Sequence, residues 1–171
     1  KELKKNNIKR GNQTDQIFNY RNPIFESYIP SINWLIKNDF NVIKCGISNN
    51  KYEFNKDGYF DLSKPINEYN KLEHLYLCSI AKFHINGASG HEYISLLFNK
   101  PQLYTHGYTP CKSPLFTKVS VPSRYLNIKT NKDLTYSEQS KYIKIDDPIS
   151  GNLEIIHPTN EEILESVKHF Y

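Results

Sequence analysis

The sequence predicts an α/β fold with a parallel sheet, on three observations. Short apolar stretches of strand length alternate with segments whose apolar residues recur at helical spacing. Glycine and proline mark the boundaries between them, as at Gly46, Gly87 and Pro101. The 171 residues, 38% of them hydrophobic, suffice for one domain with a real core.

The elements follow in chain order. Residues 1–14 are polar and aperiodic and read as a linker or a disordered end, so the folded domain is expected over 15–171. Ile17, Phe18 and Tyr20 form a short strand, broken by Arg21-Asn22-Pro23. A helix begins near Pro30 and carries Ile32, Leu35 and Ile36 on one face. Asn38-Asp39 closes it in a left-handed turn. Phe40–Cys45 is a strand that ends at Gly46. Residues 48–66 are a polar connection holding one short strand at Tyr59–Leu62. Leu72, Leu75, Tyr76, Ser79 and Ile80 give residues 68–80 an amphipathic helical pattern.

Lys82–Asn86 is the next strand, followed by the turn Gly87-Ala88-Ser89-Gly90. A helix over His91–Asn99 is expected to bury Tyr93, Ile94, Leu97 and Phe98. Gln102–Thr105 is a further strand. Residues 107–124 contain three prolines and read as a long loop. Leu134–Glu138 opens a short helix. Thr159-Asn160-Glu161-Glu162 is a capping box that starts a last helix over about 160–170.

Composition narrows the function. No apolar run approaches the roughly 18 residues of a membrane span, and no signal peptide is visible. Cys45, Cys78 and Cys111 are odd in number and far apart, which excludes a disulfide framework and suits a reducing compartment. The net charge of +4 comes mainly from scattered lysines, with only Arg10, Arg21 and Arg124 as arginines, so a nucleic-acid-binding stripe is not expected. With no methionine, even at position 1, the chain is expected to be a fragment of a longer protein.

The strongest chemical feature is His84-Ile85-Asn86-Gly87-Ala88-Ser89-Gly90-His91. A strand running into a small-residue turn and a helix start can offer backbone N–H groups to a phosphate, and it can equally be an ordinary capped turn. The frame lacks a nucleophile elbow, a dinucleotide fingerprint and a P-loop lysine. Arg21 follows the first expected strand and reads as a phosphate clamp or a surface ion pair; Lys44 ends the second and reads as a similar clamp or a solvated strand end; His91 could touch phosphate or cap the helix. His74, His84, His106, His157 and His169 show no metal-ligand spacing, so no metal is expected. His157 precedes Pro158 and reads as part of a turn. Asp61, Asp146 and Asp147 read as solvated loop carboxylates.

Taken together, several stretches resemble a family of bacterial glycosyltransferases. Tyr20-Arg21-Asn22, Tyr28 and Leu35–Gly46 resemble its pattern "YRN…Y…L…GyxVxRxG". Phe83–Tyr104 resembles its next block of strand, Ser-Gly turn, helix and "kP". Leu134–Glu138 resembles "gr.Ltf.E", and Pro158–Ile163 resembles the terminal "nTpeEI" helix.

The resemblance implies the Rossmann-like, donor-binding C-terminal half of a GT-B-type enzyme, whose N-terminal domain lies elsewhere in the parent chain. It implies transfer of a sugar from a nucleotide-activated donor to a hydroxyl of a glycan or lipid-linked acceptor, in cell-surface polysaccharide or glycan synthesis. Carried over, Ser89 and Gly90 would hold the diphosphate beside Arg21, Asn22, Lys44, Gly46, Asn86, Gly87 and His91. Lys44 stands where the family has Arg, so charge is kept and bidentate grip is lost. No cofactor beyond the donor is implied, and no catalytic base can be named in this half. The implied location is cytoplasmic, the inner face of the membrane included, and the fragment is expected to be inactive alone. The competing expectation is a non-catalytic nucleotide- or anion-binding α/β module.

Overall fold

The computed structural model describes residues 23–48, 52–87, 92–107, 119–139 and 152–171. The strand expected at Ile17–Tyr20 lies outside them.

A 3₁₀ turn, Phe25–Tyr28, runs directly into helix α1, Ile29–Lys37. Pro30 sits in the first turn of α1, where its missing N–H costs no hydrogen bond. Asp39 takes the left-handed conformation expected after α1, at φ 63°. The chain then enters β1, Val42–Lys44, which pairs in parallel with β2, Tyr59–Asp61. The long polar connection therefore returns to the sheet as the sequence implied.

Helix α2 covers Lys71–Ile80, three residues shorter at its start than the periodicity predicts. Asn70 sets that start, because its side chain accepts from the backbone N–H of Leu72 and Glu73. Strand β3, His84–Asn86, leads towards α3, Glu92–Leu97, and then β4, Gln102–Thr105. Residues 107–124 are not only loop. Val119–Val121 forms β5, and the three strands make a parallel ladder in the order β3-β4-β5. The prolines masked this strand, but Pro122 falls just beyond it, where no ladder bond is needed.

The C-terminal part adds an antiparallel sheet that the sequence reading lacks. Strand β6, Arg124–Asn127, lies between β7, Lys132–Asp133, and β8, Leu153–Ile156. A short helix α4, Tyr136–Gln139, follows β7. Helix α5, Asn160–Phe170, closes the chain, and its capping box is complete: Glu162 N–H donates to Thr159 Oγ1 and Thr159 N–H donates to the Glu162 carboxylate. The molecule is thus mixed α/β, with small parallel sheets flanked by helices and an antiparallel sheet beside them.

Two apolar clusters hold it together. Leu35, Leu103 and Val167 join α1, β4 and α5, with Trp34, Phe40, Phe83, Ile85, Val119 and Phe170 around them. Phe25, Ile32 and Tyr59 join the 3₁₀ turn, α1 and β2. Val42 touches both clusters. Each fully buried aliphatic side chain contributes roughly 1.5–3 kcal/mol of transfer free energy.

The expected burial of α2 and α3 needs correction. Leu72, Tyr76 and Ile80 are 76%, 64% and 57% exposed, and His74 and Cys78 take the inward positions. On α3, Tyr93 and Leu97 are exposed and Ser95 is buried. The reason lies in the sheet. Alternation along β3 and β4 turns Ile85 and Leu103 towards α1 and α5, so His84, Asn86 and Gln102 face the other way. A polar sheet face selects polar helix positions to cover it.

Candidate functional site

In a parallel sheet the ligand-binding edge is the carboxyl ends of the strands, because the crossover connections leave there. Three groups of chemically capable residues gather near the carboxyl ends of these strands.

The first lies beyond β1 and β2. Lys44 Nζ donates to Asp61 at 2.9 Å and to Ser63 Oγ at 2.8 Å. It also stands 5.2 Å from the centroid of Tyr52 and 5.9 Å from that of Phe25. Burial pushes the Asp61 carboxyl up, but the bonds from Ser63 and Lys44 outweigh it and hold the group below the usual carboxylate range. The ammonium of Lys44 is therefore engaged within the fold. Gly46 follows at φ 123°, a conformation that L side chains rarely adopt.

The second group lies beyond β3. Asn86 ends the strand and Gly87 follows it. The Asn86 side chain points back into the sheet, donating to Ser95 Oγ at 2.7 Å and to Gln102 Oε1 at 3.0 Å. His84 bonds Ser95 Oγ through Nδ1 at 2.6 Å and the carbonyl of Cys78 through Nε2 at 3.0 Å. The carbonyl can only accept, so Nε2 carries the proton and Ser95 donates to Nδ1. Ser95 is fully buried, which makes this a structural network and not an exposed nucleophile. Ser89, Gly90 and His91, like Arg21 and Asn22, lie outside the described residues.

The third group lies beyond β4, β5 and β8, and the sequence did not point to it. Tyr28, on the 3₁₀ turn, bonds Thr105 Oγ1 at 2.5 Å and His106 Nδ1 at 3.2 Å. Thr105 in turn donates to the carbonyl of Asn86 at 3.4 Å. That direction fixes the rest: Thr105 accepts from Tyr28, and the Tyr28 oxygen accepts from His106 Nδ1–H. The His106 lone pair then sits on Nε2. The His106 and His157 rings are 5.3 Å apart, and His157 Nδ1 is 3.1 Å from Ser123 Oγ.

Burial governs the titration of this group. Tyr28 is pushed up to about 12 by burial, against the opposing bond to Thr105. His106 is lowered from 6.5 to about 4 by burial and by the neighbouring His157, which burial also lowers. Both imidazoles are uncharged at neutral pH. His106 also holds a left-handed backbone, φ 56°, next to Gly107. A β-carbon at Gly107 would stand 2.5 Å from the buried Tyr104 ring, so this corner admits only glycine without rearrangement. A left-handed histidine and two imidazoles with lowered pKa at a strand end make this corner a candidate site. His157 reads as a turn residue in the sequence, and it does follow β8 directly before Pro158.

His106 and His157 are too far apart in sequence for spacing to connect them. The one available signal was Thr105-His106-Gly107 at the end of an expected strand, on the edge where ligands bind. Cys45, His74 and Cys78 also converge, with their ligand atoms all within 4.8 Å of one another.

The chain matches no family model, no curated protein and no solved structure. Among the described residues no helix is long and apolar enough to cross a membrane.

Proposed function

We propose that the chain is the donor-binding half of a sugar-transfer enzyme, which holds a nucleotide-activated sugar across the carboxyl ends of β3, β4 and β5. The reading of the reaction class rests on the sequence resemblance. Its location rests on one observation above all, the bonded ridge Tyr28–Thr105–His106 with His157 and Ser123 beside it. Uncharged imidazoles and hydroxyls suit the hydroxyl groups of a ribose or a sugar, which need paired donors and acceptors and no net charge. The half-buried His157 is the member placed to meet ligand, with His106 behind it. Ser89 and Gly90, which the sequence pattern assigns to a turn, then fall to the diphosphate. The acceptor, a glycan or lipid-linked hydroxyl, approaches from the side of a second domain.

Thermal shifts against nucleoside mono- and diphosphates and sugar nucleotides test the reading. One nucleotide family is expected to raise the Tm, and His157→Ala and Tyr28→Phe are expected to abolish the shift. A shift that survives both variants places the ligand elsewhere and overturns the assignment.

One observation favours a second reading, a nucleotide- or anion-binding module without transferase activity. Lys44 is committed to Asp61 and Ser63, so this cation does not reach a leaving diphosphate. Binding of a sugar nucleotide by the full-length parent, with no sugar release or transfer, would favour that module.

A further inference from the structure

We propose that Cys45, His74 and Cys78 form a binding site for one Zn²⁺ ion, with water in the fourth position. Nothing in this inference depends on the sugar-transfer reading.

The geometry comes first. Cys45 directly follows β1, while His74 and Cys78 stand one helical turn apart on the same face of α2. The Cys78 sulfur and His74 Nε2 are 3.5 Å apart. A tetrahedral zinc with Zn–S of about 2.3 Å and Zn–N of about 2.0–2.1 Å sets its S···N edge at about 3.5 Å and its S···S edge at about 3.8 Å. All three donor atoms already lie within 4.8 Å of one another, so at most a small contraction completes the three-ligand set.

The packing of α2 points the same way. A surface helix normally docks through its apolar stripe. Helix α2 leaves Leu72, Tyr76 and Ile80 in solvent and turns His74 and Cys78 inward, at 4% and 8% exposure. Its buried face is a pair of metal-ligand side chains where leucines would ordinarily stand. Metal bonds from that pair to Cys45 would fasten α2 to the end of β1.

The donor set selects the ion. Two thiolates and an imidazole suit zinc, and hard cations prefer oxygen. Two thiolate charges neutralise Zn²⁺, so the loaded site carries no net charge into the interior. Each thiol must lose its proton on binding. The principal competitor is a Cys45–Cys78 disulfide. It would join two of the three groups, whereas zinc uses all three.

The experiment uses the full 171-residue chain purified under reducing conditions. Metal content is measured by plasma mass spectrometry, and Co²⁺ is titrated into the metal-free protein. The expected result is one zinc per chain, together with tetrahedral cobalt d–d bands and a thiolate-to-cobalt charge-transfer band that saturate at one equivalent. X-ray absorption on the zinc form should give two sulfur ligands and one imidazole nitrogen. Cys111→Ser should leave all of this unchanged. His74→Ala should weaken binding by more than the roughly 10–100-fold that an outer-shell partner is worth. If His74→Ala fails to fold, the wild-type spectra still decide. A folded wild-type chain that takes up no zinc or cobalt while its thiols react freely overturns the proposal. So does a Cys45–Cys78 disulfide that persists under those conditions.

Discussion

The two faces of the β3–β4–β5 sheet are both covered, yet they are held in different ways. The face towards α1 and α5 is apolar, built on Leu35, Leu103 and Val167 with Ile85, Val119 and Val121. The face towards α2 and α3 carries a polar network of His84, Asn86, Gln102 and Ser95, with the buried Tyr104 beside it. The first is stabilised by area removed from water, which is non-directional and tolerant of small shifts. The second contributes little net energy per bond, but a missing partner leaves a buried polar atom unsatisfied. One face supplies most of the stability, and the other constrains which arrangement is stable.

Four measurements would break or sharpen this contrast. Leu103→Ala should have the largest effect, a loss of about 2–5 kcal/mol in denaturant unfolding, because it opens a cavity in the fully buried apolar face. A loss under 1 kcal/mol would mean that this face is not the main source of stability.

The next effect belongs to the edge where the strands end. The His106 pKa falls from 6.5 to about 4 on folding, so between those values the unfolded chain binds more protons. Stability is full above pH 6.5, falls as pH drops towards 4, and levels off below it. The loss from this group is on the order of 3 kcal/mol. His106→Asn keeps a residue that tolerates positive φ and should flatten the slope between pH 6.5 and 5. An unchanged slope in that window would assign it to other groups.

Ser95→Ala removes the donor to His84 and an acceptor of Asn86 without opening much space. The expected cost is about 1–3 kcal/mol. A neutral result would show that the polar face is dispensable to stability. The smallest effect is Thr159→Ala, which removes the α5 cap at a cost of about 1 kcal/mol. Helix α5 covers only the apolar face, so this loss should add to that of Ser95→Ala, and a double variant would test their independence.

How much of this was legible in the sequence follows from the same contrast. Periodicity located α1, β3, β4 and α5, because each either carries a strong apolar pattern or has an unmistakable boundary, such as Pro30 or the Thr159 capping box. It misassigned the buried sides of α2 and α3, because an apolar stripe was assumed to face inward. Histidine, cysteine and serine carry no hydrophobic signal, and they hold those positions. Strands β5 to β8 escaped because they are two to four residues long and were read through prolines and polar neighbours. The Tyr28–His106–His157 group exists only through long-range folding, whereas His74 and Cys78 stand at i, i+4 on α2 and only Cys45 is brought to them by the fold.

The network between Asn86 and Gln102 has a consequence for how the chain finds its fold. Side chains alternate along a strand, so a parallel strand slipped by one residue would expose Leu103 and be rejected by the apolar face. A slip of two residues restores the alternation, and greasy packing alone would discriminate against it only weakly. In either such arrangement the register that lets His84, Asn86, Ser95 and Gln102 share their bonds is lost, and buried polar groups are left short of partners. The polar face thus removes the decoys that the apolar face would accept, acting as a vernier scale for strands only three and four residues long.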